Sequence, residues 1–297
     1  MASGRFSCSL KSLISFLILI SLTTATTARR IRMRDFVEGG DDALRARAFE
    51  DGNGSNLDPQ AAPSKNFDFK GLTLQTWEEE HAKVSGKDLE GFESEKSFHT
   101  DKQDGSLVMI APGSGGADGA VMTTNSQHFR TEFKEDKNFD PKNGDYVLTV
   151  TLIVDEVDEK GTCIGQVHIE DSDPSHKPVF ELFCNSKGDL SVGMEQSPEG
   201  GDEEKTSVGN VEVGTKLTYK IKYTGESAII TINGEEKPPV KASQVGSPRS
   251  YFKFGNYNQG HKTASLGSTP LSWTIPNKLS YCERNRMGLC PIHVKIF

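Results

Sequence analysis

The sequence lacks an apolar run long enough to cross a bilayer. Its longest run, residues 13–22, has ten residues, half of the ~20 that a transmembrane helix needs. Arg5 and Lys11 precede this run, and a stretch of Thr and Ala ending at Ala28 follows it. This order is typical of a secretory signal peptide. We therefore predict that residues 1–28 are removed, and that the mature protein is secreted to the extracellular space without a membrane anchor.

Basic residues are outnumbered by acidic ones. The chain has 34 Lys and Arg residues against 42 Asp and Glu, which gives a formal net charge of −8. Loss of the two cations Arg5 and Lys11 with the signal peptide would change this charge to −10. An excess of negative charge argues against nucleic acid as a partner, because the phosphates are also negative. It does not exclude a local basic groove on one face of the protein.

Cysteine is sparse, with five residues in the chain. Removal of the signal peptide would take Cys8 away and leave four, an even number that suggests two disulfides in an exported protein. Four cysteines allow three pairings. We predict the pair Cys163–Cys184, because these residues flank a predicted hairpin where they can lie opposite each other, within disulfide reach. Cys282–Cys290 would then close a short loop, and free buried thiols are the alternative.

Internal repeats of solenoid or propeller length are also missing. Instead, short strand-like runs recur every 8 to 15 residues among many Gly, Asp, Ser and Thr residues. This pattern predicts a single all-β sandwich with many loops. The predicted domain covers residues 66–297, and a disordered leader of residues 29–65 precedes it. The predicted strands are residues 106–111, 129–135, 146–154, 165–169, 179–184, 189–194, 216–223, 228–232, 251–259 and 292–297, with a short helix and loops over 78–104 and an exposed loop over 195–205.

Several catalytic arrangements are absent from the sequence. The Gly-rich loop at residues 113–119 lacks the Gly-Lys-Ser/Thr ending of a phosphate-binding loop. There is no evident Ser-His-Asp or Cys-His arrangement, and no set of metal ligands stands out. The carboxylates at residues 155–159 are typical of a solvated hairpin end, because Lys160 interrupts their alternation. Glycoside hydrolysis, which needs a pair of carboxylates with acid and base roles, is therefore disfavoured.

Three predicted strands each carry polar residues on one face and apolar residues on the other. The alternation of side chains along a strand places Phe252 and Phe254 in the core, opposite the polar residues of the third strand. If the strands are neighbours in one sheet, their polar faces form a groove of cations, amides, phenols and an imidazole. Solvated strands with cross-strand ion pairs are the alternative. The polar residues are Arg130, Glu132, Gln166, His168, Tyr251, Lys253, Tyr257 and Gln259.

Such a groove suits a polymer of uronic acids. Breaking a uronate chain by β-elimination requires removal of the proton at C5, next to a carboxylate. That proton is very weakly acidic until the carboxylate charge is neutralised, which arginine and amide donors can do. A histidine or tyrosine can then accept the proton, and a tyrosine can donate one to the departing glycosidic oxygen.

Three segments carry a resemblance to a known family: Arg-Thr-Glu-Phe-Lys at 130–134, Gln-Val-His at 166–168, and Tyr-Phe-Lys-Phe-Gly-Asn-Tyr-Asn-Gln at 251–259. They resemble the signature strands of alginate lyases of polysaccharide lyase family seven. With a similar opening segment at residues 67–77, the resemblance covers residues 66–259 and the last strand. It implies a β-jelly-roll of two antiparallel sheets, with the three segments on a concave substrate groove, and no cofactor.

The resemblance also implies a role for each residue. Arg130 and Gln166 would neutralise the substrate carboxylate. His168 would be a further neutraliser or the base, and Tyr257 the acid or also the base, depending on the stereochemistry at C5. Val167, between Gln and His, would accompany a preference for mannuronate. The residues expected to bind or support substrate are Glu132, Lys134, Tyr251, Lys253, Asn256 and Gln259.

We therefore predict a secreted, endo-acting, monomeric lyase whose substrate is alginate, an anionic uronic-acid polysaccharide. β-Elimination would leave 4,5-unsaturated uronate ends. A lyase for another polyuronate, such as glucuronan, is one alternative, and a non-catalytic polysaccharide-binding module on the same sandwich is the other. His168 and Tyr257 favour the enzyme, since binding alone needs neither a base nor an acid.

Overall fold

The computed structural model describes residues 57–113, 116–124, 126–157, 159–197, 203–241 and 245–260, and the backbone of residues 292–296. No helix in these ranges is long and apolar enough to cross a membrane. The helix α1 spans Pro63–Asn66, and 3₁₀ helices span Glu79–His81, Gly86–Leu89 and Pro141–Asn143. The strands are β1 (Leu72–Gln75), β2 (Lys83–Ser85), β3 (Phe98–Thr100), β4 (Leu107–Ala111), β5 (Arg130–Glu135), β6 (Tyr146–Glu156), β7 (Thr162–Ile169), β8 (Pro178–Cys184), β9 (Asp189–Met194), β10 (Glu204–Asn210), β11 (Lys216–Tyr223), β12 (Ser227–Ile232), β13 (Glu235–Glu236), β14 (Val240–Lys241), β15 (Ser250–Asn258) and β16 (Ile292–Ile296).

These strands form two antiparallel sheets. The front sheet has the order β10-β9-β8-β7-β15-β5-β1-β2. The back sheet has the order β13-β12-β11-β6-β16-β4-β3, with β14 also paired to β12. Apolar side chains from both sheets belong to one buried cluster, so the sheets pack face to face around a shared core. This arrangement confirms the predicted all-β jelly-roll sandwich.

Alternation of apolar and polar residues places the back sheet against this core. In β11, Leu217, Tyr219 and Ile221 are buried while the residues between them are partly exposed, and β11 pairs with β6 along its whole length. The Tyr219 hydroxyl donates to the carbonyl oxygen of Ile164 in the front sheet at 2.6 Å. A Cβ on the neighbouring Gly165 would lie 2.6 Å from that hydroxyl. The glycine therefore leaves room for a hydrogen bond between the two sheets.

Most predicted strands are present. Residues 189–194 and 216–223 form strands with the predicted bounds. The prediction for residues 78–104 is wrong in part, because β2 and β3 lie there. The predicted loop at residues 195–205 runs into β10, which begins at Glu204. The first four residues of β10 are all exposed, so this strand has no alternation to reveal it.

The predicted Cys163–Cys184 disulfide is wrong. Across β7 and β8, Cys163 pairs with the residue before Cys184, and Cys184 pairs with the residue before Cys163. Because side chains alternate along a strand, this offset directs the two thiols to opposite faces of the sheet. Both cysteines are free and buried, and burial raises the pKa of Cys184 to about 11. Cys282 and Cys290 lie outside the described residues.

Candidate active site

The three polar strands are neighbours in the front sheet, where β15 lies between β7 and β5. Residues paired across neighbouring strands project to the same side of a sheet. The polar side chains therefore share the face of the front sheet that points away from the core. The cross-strand pairs are Lys253–Gln166, Lys253–Lys134, Tyr251–His168 and Tyr257–Arg130.

A β-bulge in β15 shapes this face. The pairing of β15 with β7 shifts between Phe254 and Tyr257, while the pairing with β5 is continuous. Within the bulge, Gly255 has a φ of 139°, which favours glycine. A Cβ at Gly255 would lie 2.7 Å from the carbonyl oxygen of Thr131. Glycine is therefore needed for β15 to approach β5 beside Glu132, its cross-strand partner.

Glu132 is the centre of a buried ion network. Its carboxylate accepts hydrogen bonds from Arg130 at 2.8 Å and from Gln166 at 2.6 Å, and it pairs with Lys253 at 2.6 Å. Burial would raise the pKa of Glu132, but Lys253 and Arg130 outweigh burial and hold this pKa below its usual range. Glu132 is 0% exposed. Glu132 therefore holds these three partners in place, and its own contact with substrate stays a prediction.

Arg130 and Gln166 retain donors that Glu132 does not use. The Nε of Arg130 is buried and has no hydrogen-bond partner within the described residues. Burial opposes the charge of Arg130, but Glu132 and Tyr257 outweigh it and raise its pKa. The amide of Gln166 has a second N–H beside the one that it donates to Glu132. Both side chains are largely buried, and these donors are the ones that remain for a further carboxylate.

The phenol ring of Tyr257 lies on the guanidinium of Arg130. The Cζ atom of Arg130 is 3.7 Å from the ring centroid. Ser126 joins the two, because its Oγ is 3.1 Å from the Tyr257 hydroxyl and 3.3 Å from a terminal nitrogen of Arg130. Burial raises the pKa of Tyr257 although Arg130 lowers it. The phenol therefore carries its proton at neutral pH.

Two neighbours of Tyr257 were not identified in the sequence. Ser126 is one, and His128, whose ring packs edge-on against Tyr257 with centroids 5.6 Å apart, is the other. Nδ1 of His128 is 3.1 Å from the carbonyl oxygen of Gly260. Both residues precede β5 in a loop, where no alternation indicates which side chains face the site.

His168 is held through one ring nitrogen. Its Nδ1 is 2.7 Å from the carbonyl oxygen of Ile169 and 3.1 Å from the Tyr251 hydroxyl. The Tyr251 ring stacks on the imidazole, with ring centroids 5.1 Å apart. Burial and the charge of Lys253 lower the pKa of His168 to about 4. The imidazole is therefore neutral at physiological pH, as a proton acceptor must be.

Tyr251 and Lys134 meet at Asp171, in the loop after β7. The Tyr251 hydroxyl donates to Asp171 at 2.8 Å, and the ammonium of Lys134 pairs with the same carboxylate. The Nζ of Lys134 lies 4.5 Å from the centroid of the Tyr251 ring. Tyr251 is 3% exposed and stacks on the imidazole, so it supports His168. Asp171 was not identified in the sequence.

Lys253 lies at the centre of the site and is buried. Burial and the charge of Arg130 lower the pKa of Lys253 to about 8, although Glu132 raises it. Gln259 follows β15 and is half-buried, and its amide donates to the carbonyl oxygen of Tyr257 at 2.9 Å. Gln259 is therefore held against the backbone of Tyr257, at the end of the strand.

The prediction that Asn256 binds substrate is wrong. Asn256 lies on the opposite face of β15 from Tyr257 and is fully buried. Its amide donates to the carbonyl oxygen of Met109 in the back sheet at 3.2 Å, and its side-chain oxygen accepts from Thr162 at 2.9 Å. Asn256 therefore connects the two sheets.

A second buried carboxyl group, Glu181, extends the polar face onto β8. Glu181 pairs with Gln166 on one side and with Gly193 on the other. Glu203 lies over Gly193, where a Cβ would be 2.7 Å from Glu203 Oε2, and it hydrogen-bonds to Glu181. Burial and this second carboxyl group raise the pKa of Glu181 well above its usual value. Glu181 therefore favours its uncharged form beside the cations.

This face of the front sheet combines complementary chemical groups. A guanidinium and an amide can bind a carboxylate, a neutral imidazole can accept a proton, and a phenol can donate one. The part of the chain that the structure describes contains no group of three or more His, Cys, Asp or Glu residues that could hold a metal ion. The described groups suit acid–base chemistry on an anionic sugar.

Solved alginate lyases have the same fold. Alginate lyase A1-II′, a member of polysaccharide lyase family 7, matches with a TM-score of 0.62 and 24% identity over 80% of this chain and 96% of that chain. The alginate lyase from Klebsiella pneumoniae matches with a TM-score of 0.59 and 19% identity over 79% of this chain and 96% of that chain. That from Pseudomonas aeruginosa matches with a TM-score of 0.54 and 21% identity over 67% of this chain and 93% of that chain.

Sequence comparison gives the family. No curated protein matches the sequence. A family model described as alginate lyase matches residues 67–275, which include every strand of the front sheet. Because this match covers most of the chain, the protein belongs to the alginate lyase family and is an enzyme of the lyase class.

Proposed function

We propose that this enzyme cleaves alginate by β-elimination and leaves a 4,5-unsaturated uronate at each new chain end. The observation that carries the proposal is the arrangement of Arg130, Gln166, His168 and Tyr257 on one face of three adjacent strands. Membership of the alginate lyase family supports the same substrate. In the complex of an A1-II′ variant, the substrate is an oligosaccharide written GGMG.

The first task of the site is to neutralise the carboxylate of the sugar that is cleaved. The unpaired Nε of Arg130 and the second N–H of Gln166 can donate to this carboxylate. Both side chains are held in place by Glu132, and donors that are fixed in advance stabilise developing negative charge most effectively. Withdrawal of negative charge makes the C5 proton more acidic and stabilises the carbanion-like intermediate.

The second task is proton transfer. We assign the base to His168, because its low pKa leaves the imidazole neutral. His168 takes the proton from C5, the electron pair forms the C4–C5 double bond, and the C4–O bond breaks. Tyr257 then donates its proton to the departing glycosidic oxygen, which requires a phenol that is protonated at neutral pH.

The polar face is longer than one sugar ring. A row of paired residues crosses four strands, from Lys134 through Lys253 and Gln166 to Glu181. It spans three strand spacings, ~14 Å in all. A row of this length fits a polymer that lies across the site, and it supports the proposal of cleavage within the chain.

The proposed preference for mannuronate rests on Val167, between Gln166 and His168. Val167 is fully buried in the core, so it does not touch a sugar on the front face. Val167 would therefore act indirectly, by setting the positions of Gln166 and His168 on either side of it. A panel of mannuronate-rich alginate, guluronate-rich alginate and glucuronan measures this preference and tests the competing substrate.

We also propose that the protein is exported. The support is the order of basic residues, apolar run and small residues within residues 1–28. Sequencing the N-terminus of protein recovered from the culture medium should give Arg29 first. Recovery only inside the cell, with residues 1–28 retained, would contradict this proposal.

The central experiment is incubation of the purified protein with alginate. The conjugated double bond of the product should raise the ultraviolet absorbance, and an early fall in viscosity should show cleavage within chains. Binding without any rise in absorbance on alginate or glucuronan would instead support a non-catalytic polysaccharide-binding module.

A further inference from the structure

Asp171 contacts a residue that supports the proposed base but does not contact the base itself. It follows β7 in an exposed loop, and its carboxylate receives the Tyr251 hydroxyl at 2.8 Å and the ammonium of Lys134. Burial works against its charge, but the contacts with Lys134 and Tyr251 outweigh burial and hold the pKa of Asp171 below its ordinary value. Asp171 is therefore ionised at neutral pH and can only accept hydrogen bonds.

The contacts of Nδ1 in His168 determine where the imidazole proton lies. The carbonyl oxygen of Ile169, at 2.7 Å, can only accept. The Tyr251 hydroxyl, at 3.1 Å, has one proton, and this proton is donated to Asp171. Toward His168 the hydroxyl can therefore only accept as well. Both neighbours of Nδ1 thus require a proton on Nδ1, and the neutral ring keeps Nε2 unprotonated.

We propose that Asp171, acting through Tyr251, is a positioning residue that keeps the proton of His168 on Nδ1 and leaves Nε2 free to accept the C5 proton of the substrate. The use of Nε2 as base rests on the proposed lyase function. The position of the proton does not, because it follows from the hydrogen bonds of the protein alone.

Ring contacts make Tyr251 a suitable intermediary. Its ring and the imidazole of His168 are stacked, with an angle of 18° between their planes. Lys134 lies over the same phenol ring and also pairs with Asp171. The position of Tyr251 is therefore fixed by Asp171 and Lys134 together, and a shift of the phenol would move the imidazole.

The other charged groups near His168 have a different effect. Lys253, Arg130 and Glu132 act on His168 through their charges, and the cations favour the neutral ring whichever nitrogen holds the proton. Within the described residues, the hydrogen bonds given to the ring are all at Nδ1. The choice between the two neutral forms therefore falls to Ile169 and to the Tyr251–Asp171 pair.

Nitrogen NMR of the protein labelled in histidine tests the proposal, with the His168 signals assigned by their loss in His168→Gln. In the wild type, Nδ1 should be protonated and Nε2 unprotonated at neutral pH. In Asp171→Ala the Tyr251 proton is released and can be donated to Nδ1, so the two nitrogen shifts should move toward each other. The kcat should fall roughly fivefold, as expected for one lost hydrogen bond, with KM little changed.

Two further variants separate positioning from structure. Asp171→Asn keeps an oxygen that can accept from Tyr251 but removes the charge, so the wild-type shifts and most of kcat should return. Asp173→Ala, in the same loop, removes a carboxylate that accepts a hydrogen bond from the backbone of Ser175. This variant should leave the nitrogen shifts of His168 and the kcat unchanged. Wild-type shifts and kcat in Asp171→Ala would overturn the proposal, as would an Asp171→Asn variant as impaired as the alanine variant.

Failure of the proposed function would give a different result. If the protein does not cleave alginate, the nitrogen shifts of wild type and Asp171→Ala still report the proton position. An unprotonated Nε2 in an inactive protein would refute the lyase function while leaving the role of Asp171 intact. A proton on Nε2 of an active wild-type enzyme would refute the role of Asp171 and the use of Nε2 as the base, while the lyase activity itself would stand.

Discussion

The guanidinium of Arg130 lies over the phenol ring of Tyr257, with Cζ 3.7 Å from the ring centroid. This contact places the group that would neutralise the substrate carboxylate directly beside the proton donor. A cation on the face of an aromatic ring contributes roughly 0.5–2 kcal/mol, more when it is desolvated. The two groups are therefore positioned as a unit, and Ser126 is bonded to both.

Removal of the Tyr257 hydroxyl should abolish turnover. We expect Tyr257→Phe to lower kcat by at least ~100-fold, the usual contribution of a general acid, while alginate binding is largely retained. Initial rates from ultraviolet absorbance, with binding measured by calorimetry, check this. Tyr146→Phe, which removes a phenol at the start of β6, should behave as wild type. Near-normal turnover in Tyr257→Phe would contradict the assigned role.

Loss of the hydroxyl of Ser126 should weaken catalysis without unfolding the protein. Ser126→Ala removes the contacts to Tyr257 and to Arg130, so we expect kcat to fall roughly tenfold, as for two modest hydrogen bonds. Gln127→Ala, at the exposed neighbouring position, is the matched control. If Ser126→Ala and Gln127→Ala have equal kcat values and equal thermal midpoints, the contacts of Ser126 with Tyr257 and Arg130 are not needed for catalysis.

The pH profile of kcat/KM should have limbs set by two site residues. His168 gains a proton as the pH falls through about 4 and then can no longer act as a base. Lys253 loses its proton as the pH rises through about 8 and then no longer pairs with Glu132. We expect Lys253→Arg to shift the alkaline limb upward, because a guanidinium keeps its charge. An unchanged alkaline limb in this variant would assign that limb to another group.

Glu135 should make stability depend on pH. Burial raises its pKa to about 7, although the backbone N–H of Phe252, at 2.8 Å, lowers it. The folded state therefore binds more protons than the unfolded state, and the free energy of unfolding falls as the pH rises from about 4.5 to about 7. The loss above this range is up to about 3 kcal/mol.

The variant Glu135→Gln keeps an oxygen that accepts the backbone N–H of Phe252, but its side chain no longer binds or releases a proton. It should be more stable than wild type at about pH 8 and show little advantage at about pH 4. Urea denaturation at both pH values measures the difference, with the exposed Glu90→Gln as control. A variant that is less stable than wild type at the higher pH would contradict the direction that we assign.

The sequence predicts the main elements of this site because alternation has a fixed period. Lys253 and Tyr257 are four residues apart and share a face, while Phe252 lies opposite and is buried. The same alternation places Asn256 opposite Tyr257, on the buried face of β15, where it does not reach the polar face. Alternation within a strand therefore predicts which side chains point to the core and which point to the polar face.

Contacts between distant segments were not predictable in the same way. Asp171 and Ser126 lie in loops and reach β15 residues 80 and 131 positions away in the chain. Alternation gives the face of Glu132 but not its burial, which depends on two cations and an amide from three strands whose order the sequence does not state. The pairing of Cys163 and Cys184 failed for a related reason, since a register offset of one residue separates their side chains.

The position of β16 has a consequence for how the chain folds as it is made. Residues 292–296 pair with β4 on one side and with β6 on the other. Until this segment leaves the ribosome, β4 and β6 present unpaired edges to other nascent chains. Pairing across so long a stretch of chain is also slow. The back sheet can therefore close only late in biogenesis, when every strand of the front sheet has already been synthesised.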